Sequence, residues 1–114
     1  MRILMLSWEY PPHVVGGLGQ HVADLAPALA RRGVEVHVVT PMRQGGDARA
    51  EDGQLHVHRV PISAFGTPDF VGEVQVSNQV LASYGQSLIG NSGPFDLLHN
   101  HDWLTAQAAR TLKL

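Results

Sequence analysis

The sequence predicts a three-layer α/β domain built on a mostly parallel sheet. Short runs of β-branched and other apolar residues alternate with longer stretches whose apolar residues recur at helical spacing. The first run, Ile3 to Ser7, is continuously apolar up to its closing serine, the pattern of a strand covered on both faces. The composition agrees: 114 residues with 44% hydrophobic and 16% charged suit one globular domain rather than a disordered chain.

The elements follow in order. Trp8 to Val15 contains Pro11-Pro12 and reads as a rigid loop. Gly16 and Gly17 then open a helix in which Leu18, Val22, Leu25 and Leu29 share one face, while Gln20, Asp24 and Arg31 take the other. Gly33 is the expected stop, and Arg31 and Arg32 complement the helix dipole there. Pro27 removes a helical hydrogen bond, but it sits on the polar side and the stripe passes in register, so one helix bent at Pro27 is expected. Val34 to Thr40 is the second strand, and Pro41 to Gly53, with Gly45-Gly46, an exposed loop.

Leu55 and Val57 alternate with His56 and His58 in a third strand, expected at the sheet edge with its histidines solvated. After an irregular link, Pro61 to Asp69, the residues Val74, Val80, Leu81, Tyr84 and Leu88 predict an amphipathic helix from Phe70 to about Ile89. Gly90, Gly93 and Pro94 break it. Phe95 to His99 is the fourth strand, and Trp103 to Leu112 a helix with Leu104, Ala108 and Leu112 on one face. Right-handed crossovers give the strand order third, second, first, fourth.

Several function classes lose support at once. A net charge of -2 gives no sign of a nucleic-acid or membrane-surface partner. No stretch reaches the roughly 18 apolar residues of a membrane span, and Ile3 to Leu6 is too short for a signal peptide. The sequence has no cysteine, as expected of a cytoplasmic protein though compatible with other compartments.

Val15-Gly16-Gly17-Leu18-Gly19 lies between the first strand and the first helix. Glycines there let backbone approach a ligand, and the N–H groups of the helix N-terminus favour an anion. The alternative is a tight turn that binds nothing. No Gly-Lys-Ser/Thr follows, so the Walker pattern fails. A dinucleotide fingerprint started at Gly17 meets Val22 in place of its last glycine, and Thr40 and Pro41 stand where its ribose-binding acid belongs. A nicotinamide oxidoreductase is therefore disfavoured, while a non-catalytic anion-binding module would need only the loop.

Trp8-Glu9-Tyr10-Pro11-Pro12, Gly16-Gly17-Leu18-Gly19 with His21-Val22, Leu25-Ala26, and Leu29-Ala30-Arg31-Arg32-Gly33 resemble the opening of glycogen- and starch-synthase-like retaining glycosyltransferases. His99-Asn100-His101-Asp102-Trp103, after Phe95-Asp96-Leu97-Leu98, resembles their H-x-H-D-W segment. Where glycogen synthases proper carry Lys-x-Gly-Gly-Leu, Val14 takes the lysine position, so the chain looks more like the broad sucrose-synthase-like relatives.

The resemblance implies a two-domain enzyme whose Rossmann-like domains close over a cleft, with residues 1–114 the incomplete N-terminal, acceptor-side domain. The C-terminal, donor-binding domain lies outside the chain. The implied reaction moves a sugar from a nucleotide-sugar to an acceptor, a glucan among the candidates, with retention of configuration. Backbone of Gly16, Gly17 and Leu18 would face the donor diphosphate, and Asp102 would line the cleft near the reacting sugar. No metal or organic cofactor is implied, and the chain by itself is expected to be inactive.

Position supports part of this independently. His101 and Asp102 sit at the carboxyl end of a parallel strand, where open α/β sheets place their ligands. These two are the catalytic candidates; Gly16, Gly17, Leu18, Trp103 and Glu9 are the substrate-binding ones. Asp102 could instead cap the last helix, Trp103 anchor it, and Glu9 be a solvated loop acid. His21 could face ligand or sheet, and His99 is expected to be buried and bonded to backbone. Neither His99-x-His101 nor His56-x-His58 has a third ligand at metal spacing, so no metal site is assigned. Because the chain stops where a doubly wound fold begins another strand, Phe95 to His99 is expected to leave an open edge that promotes self-association.

Overall fold

The structure, a computed structural model, describes residues 1–12, 14, 16–42, 46–62 and 69–112. Val15 of the glycine segment, Gly45 and the last two residues, Lys113 and Leu114, lie outside them. Among the described residues, five strands, β1 (Arg2–Leu6), β2 (Glu35–Pro41), β3 (Arg49–Asp52), β4 (Leu55–Val60) and β5 (Leu97–Asn100), form one sheet in the order β3-β4-β2-β1-β5. All neighbours are parallel except β3 and β4. Three helices, α1 (Gly17–Arg31), α2 (Phe70–Ser92) and α3 (Ala106–Thr111), complete the fold, with a 3-10 turn at Trp103–Thr105 leading into α3.

Alternation of side chains along the strands makes two cores. Ile3, Met5, Val36, Val38, Leu55 and Val57 face α1 through Val22 and Ala26. Leu4, Leu6, Val39 and Val60 face the other way, onto Leu81 and Ala82 of α2 and Ala108 and Leu112 beside them. The sheet is thus covered on both faces, a three-layer arrangement.

α1 runs unbroken through Pro27 and ends where the sequence predicts. Gly33 adopts φ 89°, its N–H donating to the Ala30 carbonyl and that of Val34 to the Leu29 carbonyl, the paired bonds of a Schellman stop. The buried stripe is not quite the expected one. Gly19, Val22 and Ala26 form its centre with Leu25 and Leu29 alongside, whereas Leu18 is 45% exposed at the mouth of the helix. In α2 the buried line is Ser77, Asn78, Leu81, Ala82 and Gly85, and the helix runs through Gly90 to Ser92.

One expectation is overturned. β4 is not the edge, because Arg49–Asp52, read as loop, turns back on it as an antiparallel strand through Gly53 at φ 59°. Its charged, mostly exposed sequence suits an edge strand. With one face covered by α2, the β4 histidines are not a solvated face: His58 is buried and His56 half-buried. Nδ1 of His58 lies 2.6 Å from the Tyr84 hydroxyl and its Nε2 2.9 Å from Nδ1 of His37. His56 stacks on His37 at 4.4 Å between ring centroids and reaches Glu51 at 3.3 Å.

β5 pairs only with β1 among the described residues, so the opposite edge of the sheet is β5, as expected. Its strand proper is Leu97–Asn100; Phe95 precedes it, buried beneath the Arg2 guanidinium at 4.5 Å. Arg2 also donates to the carbonyls of Gly93 and Pro94 and to Glu35, tying the end of α2 to the start of β1 and β2.

Candidate functional site

The sheet order reverses at β1, with β2 on one side and β5 on the other, so the crevice beyond the carboxyl ends of β1 and β5 is the topological switch point. Leu6 pairs with Asn100 across that end, and the His101 N–H donates to the Leu6 carbonyl at 3.1 Å. The loop after β1 carries Glu9 and leads to α1, while the loop after β5 carries His101 and Asp102.

α1 begins at an N-cap glycine, Gly16, with no side-chain cap and no acidic residue in the first turn. Its positive end is therefore not neutralised from within the helix. Gly16 has an extended backbone with φ -129°, and neither Gly16 nor Gly17 has a positive φ. Among the described residues, a Cβ at either position would meet nothing within 4 Å, so neither a positive φ nor packing against those residues asks for glycine there. Gly19 is different: a Cβ there would come within 2.8 Å of Oε1 of Glu9, the oxygen that accepts the Gly16 N–H at 3.2 Å.

Across the crevice, Asp102 caps the turn that follows β5, Oδ1 accepting the Thr105 N–H at 3.2 Å. Burial holds its pKa above the usual 3.8 against the backbone N–H groups of Leu104 and Thr105, and the negative charge of Glu9 adds to the rise. Asp102 thus serves as a cap and also faces the crevice beside Glu9. His101 is buried, with its ring 4.0 Å from that of His99 and 6.1 Å from that of the exposed His21. Burial first, then His99 and His21, lower its pKa to about 4, so it is neutral at pH 7. Its Nε2 is buried without a hydrogen-bond partner among the described residues. His99, expected to be buried, is half-exposed instead.

Trp103 is 70% exposed and anchors little; its ring meets the edge of Phe70 at 6.4 Å, and Phe70 meets the buried Trp8 at 6.5 Å. The structure therefore brings Glu9, the glycine loop, His21, His101 and Asp102 to one crevice, with Trp103 following Asp102 in the chain. Sequence reasoning missed the residue that fixes the β5 side. Asn78 of α2 donates to the Leu104 carbonyl at 2.7 Å and accepts the Ala108 N–H at 2.8 Å. A polar residue in the buried line of a helix was its only sign.

Hollows of about 410 Å³ between Val60 and Tyr84 and about 440 Å³ along the outer edge of β5, both among the described residues, lie away from the crevice. Among the described residues, no group of three or more His, Asp or Glu could hold a metal ion, and no helix is long and apolar enough to cross a membrane.

A parallel-sheet α/β domain with a glycine-opened helix, an acid and a histidine near its switch point belongs to the Rossmann-like class of α/β folds. The comparisons make this specific: residues 16–114 match the glycosyl transferase 4-like domain, and the chain belongs to that family. It is 34% identical to a glycogen synthase of Mycobacterium tuberculosis over 98% of its own length and 30% of that protein's. It is 36% identical to an uncharacterized glycosyltransferase of Methanocaldococcus jannaschii over 99% of the chain and 28% of the relative. The fold is that of a sucrose-phosphate synthase from Thermosynechococcus elongatus, with a TM-score of 0.81 at 18% identity over 98% of the chain and 30% of that structure. It also matches the catalytic domain of starch synthase IV from Arabidopsis thaliana, bound to ADP and acarbose, with a TM-score of 0.70 at 24% identity over 94% of the chain and 29% of that structure. The chain thus spans about 30% of the length of the first of these relatives.

Proposed function

We propose that this chain is the acceptor-side part of a transferase that moves a sugar from a nucleotide-sugar to a carbohydrate acceptor, with retention of configuration. The observation that carries the reading is the pair Gly16 and Gly17, glycines that neither a positive φ nor packing against the described residues requires, at a helix N-terminus whose N-cap residue has no capping side chain. A diphosphate seated there would account for both, since a side chain at either position would stand between the phosphate and the N–H groups. In the reaction the bond from the anomeric carbon to the diphosphate breaks, the acceptor oxygen bonds to that carbon, and its proton passes to the leaving diphosphate. Backbone N–H groups of the loop stabilise the charge on the leaving group. Asp102 faces the reacting sugar, and the unpartnered Nε2 of His101 is offered to a sugar hydroxyl. Leu18 and Trp103, both exposed, border the same opening.

That the chain covers 30% of the glycogen synthase it resembles supports a second domain as the other wall of the crevice, and the same similarity favours a glucan acceptor. The cysteine-free sequence fits a cytoplasmic setting. Calorimetric titration with UDP-glucose and ADP-glucose tests the division between domains. Residues 1–114 alone should bind either only weakly, and the longer protein that carries them tightly. Micromolar binding by the 114-residue chain would overturn it.

A further inference from the structure

We propose that Glu9 is a positioning residue of the donor site: its carboxylate fixes the glycine loop through the Gly16 N–H, and residue 19 is glycine to make room for it. This rests on the reading of the loop as the diphosphate site, and it assigns different reasons to glycines of the same loop. At Gly16 and Gly17 a Cβ would meet open space. At Gly19, inside α1, it would lie 2.8 Å from Oε1 and 2.9 Å from Cβ of Glu9, and 3.2 Å from Cγ1 of Val14. Gly19 has no positive φ, so the backbone does not ask for glycine, and alanine is the better helix former. What excludes a side chain there is chiefly Glu9.

The close approach has a consequence for the ligand. With no side-chain cap on Gly16 and no acid in the first turn, Glu9 supplies from the preceding loop the carboxylate that α1 lacks locally. It takes the Gly16 N–H, and the N–H groups one and two residues further, at Gly17 and Leu18, are then the ones left to meet phosphate. Glu9 acts on the donor by holding the loop. Its hydrogen bond therefore matters more than its charge, which by itself would repel a diphosphate.

Two measurements test this. In thermal unfolding, Gly19→Ala should lower Tm in the wild-type background and lower it clearly less, or not at all, when combined with Glu9→Gly, which removes both the Oε1 and the Cβ contact. The same Tm change in both backgrounds would overturn the contact. In the longer transferase, with UDP-glucose and ADP-glucose as probes, Glu9→Ala should raise donor KM roughly tenfold, the loss of one charge-assisted hydrogen bond, with kcat within about twofold. Glu9→Gln should stay within about twofold of wild type, because the amide oxygen accepts the same N–H. An unchanged KM in Glu9→Ala, or equal losses in Ala and Gln, would refute positioning through the hydrogen bond. If the wild-type protein uses neither donor, the functional reading fails and the donor role with it, while the Tm pair still reports on the Glu9–Gly19 contact.

Discussion

Nδ1 of His37 and Nε2 of His58 stand 2.9 Å apart on neighbouring parallel strands, and the bonds on either side fix which way the protons point. Nε2 of His37 lies 2.9 Å from a Glu35 carboxylate oxygen, which can only accept. His37 therefore donates from Nε2 and, kept neutral at pH 7 by burial, accepts at Nδ1. His58 then donates from Nε2 and accepts at Nδ1 from the Tyr84 hydroxyl. With both histidines neutral, as burial holds them at pH 7, the chain of bonds runs one way, from Tyr84 to Glu35.

This arrangement makes stability depend on pH. Burial lowers the pKa of His58 to about 4, with the charges of His37, Arg49 and His56 adding to the effect, and burial also lowers that of His37 against the pull of Glu35. A histidine in the unfolded chain titrates near 6.5. Below that pH the unfolded chain takes up protons that the folded chain refuses, so stability is lost as pH falls from about 6.5 toward 4. His101 contributes with the same sign, and Asp102, with its raised pKa, with the opposite one. Tm measured from about pH 8 to 4.5 should be flat above 6.5 and fall below it, less steeply in His58→Gln. Equal slopes would show that His58 does not carry the effect. At neutral pH, Tyr84→Phe should cost about 1–3 kcal/mol by leaving the His58 acceptor unpaired.

None of that network is legible locally. His37 and His58 are separated by 21 positions in the chain, and their meeting depends on the pairing of β2 with β4. The expectation of solvated histidines followed from placing β4 at the edge. Arg49–Asp52 has no apolar alternation to mark it as a strand, and only Gly53, placed for a two-residue hairpin, hinted at it. Where the local chemistry was decisive the sequence was readable: Gly33 ends α1 as expected, and β1 is buried along most of its length. The glycine loop and the His99–Trp103 segment were each readable as motifs. That Glu9 reaches the loop through the space at Gly19 depends on the path of the β1–α1 connection, which no spacing rule supplies.

The open space at Gly17 sets up a separation of folding from binding. Gly17→Val adds a Cβ that meets nothing within 4 Å among the described residues, at a backbone position without a positive φ. The Tm of the variant should stay within a few degrees of wild type, since the intrinsic helix propensities of Gly and Val differ by less than about 1 kcal/mol. Donor affinity in the longer protein should fall more than acceptor affinity. Equal losses in both, or a large drop in Tm, would mean that glycine is needed for folding.

The outer edge of β5 should make the 114-residue chain self-associate. Leu97 beside it is 48% exposed, and β5 has no partner on that side among the described residues. Such an edge can add a strand from another chain. Light scattering should show association that rises with concentration and weakens in Leu97→Lys. A monomer at high concentration would contradict it.

The central claim is that the crevice between the glycine loop and Asp102 is where the sugar is transferred, and Asp102 tests it most directly because it also caps a turn. Asparagine caps about as well as aspartate, so Asp102→Asn keeps the structural role and removes the charge. Turnover of a nucleotide-sugar by the longer protein should fall by at least about a hundredfold in this variant. Tm should stay within about 2 °C of wild type, since the cap survives. Normal turnover with a large loss of Tm would contradict the account, leaving Asp102 as a cap alone.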